Sequence, residues 1–196
     1  MQTHTFRHPN PVLKRLVEVG ALVVCVALVL SAGLLLLIPP LVGAPSGFLL
    51  ASPLTLLLAI PVLMLTVDAP AVTVSNKGLS LHPVVWKDRF VPWDEVVSVD
   101  VYPLLPHADT EITRRYAIGK RRYRPAQGIM LLIPSLPLPY RIAGFLAGTG
   151  ARPIIALTNR AHVDYDHLLE IVLQMTDPAL HNPDLYDFND EPGDTR

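Results

Sequence analysis

The sequence predicts a membrane α-helical hairpin followed by an α+β, mainly β domain of about seven short antiparallel strands capped by a C-terminal helix. Three observations carry that prediction. From Val19 to Val67 the chain runs 49 residues without Asp, Glu, Lys, Arg or His. Past Asp68 it turns into short β-rich runs separated by Gly, Pro, Asn and Asp, as in a small antiparallel sheet. Tyr165, Leu168, Leu169, Val172 and Leu173 then recur at helical spacing. The charge follows the same division. Residues 1–67 hold only Arg7, Lys14, Arg15 and Glu18 of the 33 charged side chains among 196 residues. The overall 17% charged content falls below the roughly 25% of an ordinary soluble domain.

In chain order, residues 1–18 form an N-terminal segment, 19–67 the hairpin, 68–175 the domain and 176–196 a tail. Val19–Ile38 and Phe48–Val67 are each 20 residues long, about 30 Å as a helix, which matches the hydrocarbon thickness. The intervening Pro39–Gly47 stretch, with three prolines and two glycines, reverses the chain. Pro53 and Pro61 each remove a backbone donor inside the second span and invite a kink. The apolar run is longer than a signal-peptide core, and Val24 is too bulky for a lipoprotein cleavage box before Cys25, so cleavage is not expected. Three basic residues precede the first span and none lies in the reversal, which places both termini and the C-terminal domain in the cytoplasm of a multi-pass plasma-membrane protein.

Within the domain, Ala71–Ser75, the Asn76-Lys77-Gly78 turn and Leu79–Trp86 read as a hairpin, with glycine free to take positive φ. Arg89–Trp93 and Val96–Tyr102 follow as strands. Further strands are predicted near Thr110–Ile118, Gln127–Ile133 and Pro153–Leu157, and a helix from an Asp164 N-cap to Met175. Trp93, after Pro92 on an edge strand, is expected to be largely buried with its indole N–H on a carbonyl. The tail carries six acids and one base, a composition that predicts disorder.

This order resembles the bacterial pleckstrin-homology (PH-like) domain membrane proteins with two N-terminal transmembrane helices. Asn76-Lys77-Gly78-Leu79, the stretch Val91-Pro92-Trp93-Asp94-Glu95-Val96 and the closing helix carry the resemblance, with Gly78, Pro92 and Trp93 as its structural positions. It covers roughly residues 17–175 and departs at Leu104–Ala126 and Pro134–Arg152. The resemblance implies a binding or assembly role without catalysis. It does not carry over a phosphoinositide pocket, because the first hairpins offer only Lys77, Lys87 and Arg89.

The strongest local signal in the domain is residues 114–124, with Arg114, Arg115, Lys120, Arg121, Arg122 and Arg124 and no acid. Beside an anionic leaflet each such charge adds about 1 kcal/mol within a Debye length. The same run also fits a solvated loop or a topology signal. Residues 136–148 are nearly uncharged and too short to span, which fits packing within the domain or an interfacial location. His162 and His167 lie five apart, off one helical face and without a cysteine partner, and read as the surface start of the last helix rather than a metal site.

Single Cys25 excludes an internal disulfide, and a net charge of -1 leaves no global field for nucleic acid. No nucleophile-elbow, zincin or P-loop motif occurs. The expected partners are membrane lipids, anionic lipid above all, or a membrane protein. No cofactor, metal or catalytic residue is expected, and nucleic acid is not an expected partner. The competing reading is a small membrane enzyme or transporter accessory subunit acting through the hairpin, against which stands the lack of an ionisable group in either span.

Overall fold

The computed structural model describes residues 3–43, 47–67, 69–107, 110–119, 123–183 and 185. The chain divides into two compact units: Asn10–Asp68 with Pro83–Lys87, and Met1–Pro9 with Ala69–His82 and Asp88–Arg196.

The first unit is helical. Helix α1 (Pro11–Leu41) begins where the Asn10 side chain accepts the Leu13 N–H at 3.1 Å and Pro11 supplies a helix-ready φ at the first position. It therefore starts eight residues before the apolar run, and Lys14, Arg15 and Glu18 form its first turns. Its Pro11–Pro39 portion is long and apolar enough to cross a membrane. Helix α2 (Gly47–Met64) is shorter than the 48–67 span read from the sequence. It ends in a turn over Leu65–Val67, where the Thr66 hydroxyl donates to the Leu63 carbonyl at 2.7 Å.

The two helices run antiparallel on a heptad seam. Cys25 Sγ donates to the Ala59 carbonyl at 3.8 Å and Ser52 Oγ to the Ala32 carbonyl at 2.9 Å. From one contact to the other the chain advances seven residues along α1 and retreats seven along α2, about two helical turns on each helix. Small residues on the seam let the backbones approach, and Cys25 and Ser52 each find a carbonyl on the facing helix. Leu30, Leu37, Leu50, Leu54 and Leu58 point away from the seam and are exposed. One more heptad toward the base reaches Glu18 and Thr66, both fully buried.

The second unit has an α+β layout of two antiparallel sheets. The first has the order β1 (His4–Phe6), β2 (Ala71–Ser75), β3 (Gly78–His82), β4 (Arg89–Pro92); the second is β5 (Ser98–Val101), β6 (Gly128–Leu132), β7 (Ile154–Thr158). Alternation places Val72 and Val74, Leu79 and Leu81, Val91, Val99, and Ile129 and Leu131 in the core, while β7 is buried along its whole length. Helix α5 (Tyr165–Met175) adds Tyr165, Leu168 and Val172 from one face.

Several expectations from the sequence are corrected. Strand β1 lies in the segment read as a plain N-terminal extension: its His4, Thr5 and Phe6 pair with Val74, Thr73 and Val72. Residues 110–118, read as a strand, form helix α3 (Ile112–Ile118), because Arg and Ala favour helix and Gly119 at φ +87° ends it by donating to the Arg115 carbonyl. The 136–148 stretch contains helix α4 (Leu138–Leu146), entered through Pro137 and Pro139. Asp164 is the N-cap of α5, but in a left-handed conformation with no side-chain cap bond.

Gly78 is required by close approach rather than by a left-handed turn, since a Cβ there would lie 2.1 Å from the Val91 carbonyl oxygen. Trp93 is half-buried in a 3-10 turn after β4, not a full core residue, and its indole donates to the Ser75 carbonyl at 2.9 Å. The first part of the segment read as a disordered tail is ordered. Asp177 caps a short 3-10 turn (Pro178–Leu180), Asn182 N–H bonds to the Val99 carbonyl beside the open edge of β5, and Leu185 is buried. Residues 186–196 lie outside the described residues.

Candidate functional site

The basic run is built on two supports. Arg114 and Arg115 stand on α3, both exposed, with Tyr116 beside them at 83% exposure. Arg124 follows in the irregular stretch that leads into β6. That stretch is stitched to the turn after β7 by Asn159. Its Oδ1 accepts the Gln127 N–H at 3.1 Å, its Nδ2 donates to the Pro125 carbonyl at 2.7 Å, and its own N–H reaches the Gln127 carbonyl at 2.9 Å. Lys120, Arg121 and Arg122 lie outside the described residues.

The turn that carries Asn159 also delivers Arg160, which the sequence reading missed. Its guanidinium pairs with Glu111, donates to the Arg124 carbonyl at 2.8 Å and sits over the Tyr123 ring at 5.6 Å. Arg115 approaches the same ring at 5.9 Å. Tyr123 OH donates to the Glu111 carboxylate at 2.9 Å. Burial alone would raise the Glu111 carboxyl, but the hydrogen bonds from Arg160 and Tyr123, with the Arg160 and Arg114 charges, outweigh it and hold the acid below its ordinary value. Burial and the bond to Glu111 raise Tyr123. The Nε–H of Arg160 is buried and has no hydrogen-bond partner among the described residues.

Arg114, Arg124, Arg160, Gln127 and Asn159 line a cavity of about 390 Å³, which is also bordered by Asp164 and Asp166. Arg124 pairs with Asp166 at 3.0 Å, both side chains well exposed. The run is acid-free in sequence but not in space, since Asp166 takes up the Arg124 guanidinium and Glu111 accepts from Tyr123 and from Arg160 beside the run. The chain matches no protein-family model, no curated protein and no solved structure. The site's chemistry therefore rests on its own geometry: planar donors on a shallow, open surface, suited to phosphate or carboxylate oxygens.

The remaining positions singled out in the sequence are structural. Gly78, Pro92 and Trp93 hold the β3–β4 hairpin and its following turn. His162 is buried rather than on the surface: its Nε2 lies 3.0 Å from the Pro70 carbonyl and its Nδ1 3.3 Å from the Thr158 N–H, so it fastens the start of β2 to the end of β7. His167 is exposed, with its ring against those of His4 and Phe6. Among the described residues no group of three His, Cys, Asp or Glu side chains is placed to hold a metal ion. No local pattern marks Arg160 or Glu111, which are 49 residues apart.

Proposed function

We propose that this chain is a non-catalytic, membrane-anchored binding module. In this reading α1 and α2 form a transmembrane hairpin, both termini are cytoplasmic, and the α+β unit is a PH-like domain presenting Arg114, Arg115 and the following bases to anionic lipid. The observation that carries it is the pairing of β1 with β2. These strands flank the two apolar helices and share one sheet, so a chain that leaves the sheet through α1 has to return through α2. The outward leucines of both helices support a lipid-facing surface. The sequence of a four-stranded sheet, a three-stranded sheet and a closing helix supports the PH-like reading.

Charge on the domain then acts at short range. With Arg124 and Arg160 partly spent on Asp166 and Glu111, the attraction among the described residues comes mainly from Arg114 and Arg115 on α3. The test is to purify the full chain in mild detergent and quantify the retained lipids and proteins by mass spectrometry, beside an Arg114→Ser/Arg115→Ser/Arg124→Ser variant. Wild type should retain several-fold more anionic relative to zwitterionic lipid than the variant. Equal lipid profiles, with a protein partner lost from the variant, would replace lipid recognition by scaffolding of a membrane complex.

A further inference from the structure

Pro83–Lys87 connects β3 to β4, yet it belongs to the helical unit. Two hydrogen bonds hold it there. The Val84 N–H donates to Glu18 Oε2 at 3.0 Å, and the Trp86 indole donates to the Thr66 hydroxyl at 3.0 Å. Glu18 is 1% exposed and its other oxygen takes Lys14 Nζ at 3.2 Å, so both carboxylate oxygens are engaged. Glu18 and Thr66 form the basal rung of the helix seam. Glu18 is also the last charge before the 49-residue uncharged run. The segment is therefore fastened at the level where the helices change from charged to uncharged.

The side chains it presents at that level are unusual for a soluble connection. Val84 is 45% exposed and Trp86 is 40% exposed, and Val17 and Val19, the chain neighbours of the Glu18 to which Val84 is bonded, are exposed as well. In sequence, exposed Arg15 lies three residues before Glu18, and exposed Lys87 follows Trp86 directly. A half-exposed indole whose N–H is already bonded, an aliphatic neighbour and a rim of ammonium and guanidinium groups match the glycerol and headgroup layer of a phospholipid bilayer, where one side is apolar and the other anionic. A connection meant only to join two strands has no need of a carboxylate clamp or of an outward Trp.

We infer that Pro83–Lys87 is a membrane-interface anchor, latched to the base of the helix pair by Glu18 and Thr66, that inserts Val84 and Trp86 into the headgroup–glycerol layer of the bilayer. This rests on the hairpin reading, so its test must separate the two. The full chain is reconstituted in phosphatidylcholine vesicles carrying spin-labelled lipid with the label at the headgroup, at acyl position 5 or at acyl position 12. In Trp93→Phe, Trp86 fluorescence should be quenched at least twofold more by the two shallow labels than by the deep one. In Trp86→Phe that shallow-quenched component should disappear, which keeps the test readable even if Trp93→Phe folds poorly.

A Trp at the outward position 57, Leu57→Trp with both native Trp residues changed to Phe, should be quenched most by the deep label. If position 57 is quenched deeply while Trp86 is untouched by any label, or is quenched most by the deep one, the anchor is overturned and the hairpin stands. If neither position is quenched, the hairpin reading itself fails and the anchor falls with it. Thr66→Val, which removes the acceptor of the indole, should blur the shallow preference of Trp86; an unchanged profile would overturn the latch.

Discussion

Glu111 is the acid on which the basic site is assembled, and its environment gives it a pH signature. Its carboxyl is held below the ordinary value of 4.5 in the folded chain. The stability it contributes is thus fully present above about 4.5 and is lost as pH falls through the lowered folded value. Glu111→Gln should cost about 2 kcal/mol at neutral pH, because it leaves Arg160 with a weaker acceptor in a largely buried pair. Denaturation of both proteins in detergent from pH 7 to pH 3 should show the gap closing at the acid end; a gap that stays constant would show that the pair adds nothing through charge. None of this was legible in the sequence. The six bases at 114–124 stand out there, whereas Glu111 looks like an ordinary neighbour and Arg160 an ordinary turn residue. Their partnership depends on Asn159 drawing residues 125–127 against the end of β7. His162 was misread for the same reason, since a histidine beside a helix start looks exposed until Pro70 is placed over it.

At the level of elements, the strongly patterned ones were legible and the weakly patterned ones were not. The β2–β3 hairpin and α5 follow from alternation and from 3, 4 and 7 spacing, both local signals. Strand β1 has three residues and gains its identity only from β2, which no local signal reveals. Helix α3 was hidden because Ile, Thr, Tyr and Ile also suit a strand, and the deciding feature is Gly119 at its end. The seam of α1 was present in the sequence as Glu18, Cys25 and Ala32 at heptad spacing, but uniform hydrophobicity masks it. Helix α4 makes a sharp test of packing. A Cβ on Gly144 would fall 1.7 Å from the Arg152 carbonyl oxygen, a backbone atom that cannot swing aside. Thr149 Oγ1, which bonds the Gly144 carbonyl at 2.8 Å, closes the same turn. Gly144→Ala should therefore destabilise the chain by about 2 kcal/mol or more through overpacking, while Gly148→Ala, with open space around it but positive φ, should cost only about 1 kcal/mol. Equal midpoints in thermal denaturation would show that α4 does not lie against residue 152 as described.

For the whole molecule, the pairing of β1 with β2 sets a topological demand. In a Cys25→Ser background, single cysteines at Thr3 and Lys77 should be labelled by an impermeant maleimide only after lysis, and one at Ser46 in intact cells. Thr3 and Lys77 on opposite sides would refute the strand pairing as well as the orientation. The same pairing has a consequence in time. Thr5 and Thr73, whose hydroxyls meet at 3.1 Å, are separated by 68 residues. At the usual rate of synthesis β1 leaves the ribosome about 3 to 14 s before its partner strand exists. During that interval it has no sheet to join, and both apolar helices are made before its partner. The α+β unit can be completed only after both helices have been synthesised, so an error in placing α2 would strand β1 and leave β2 with an open edge at the same moment.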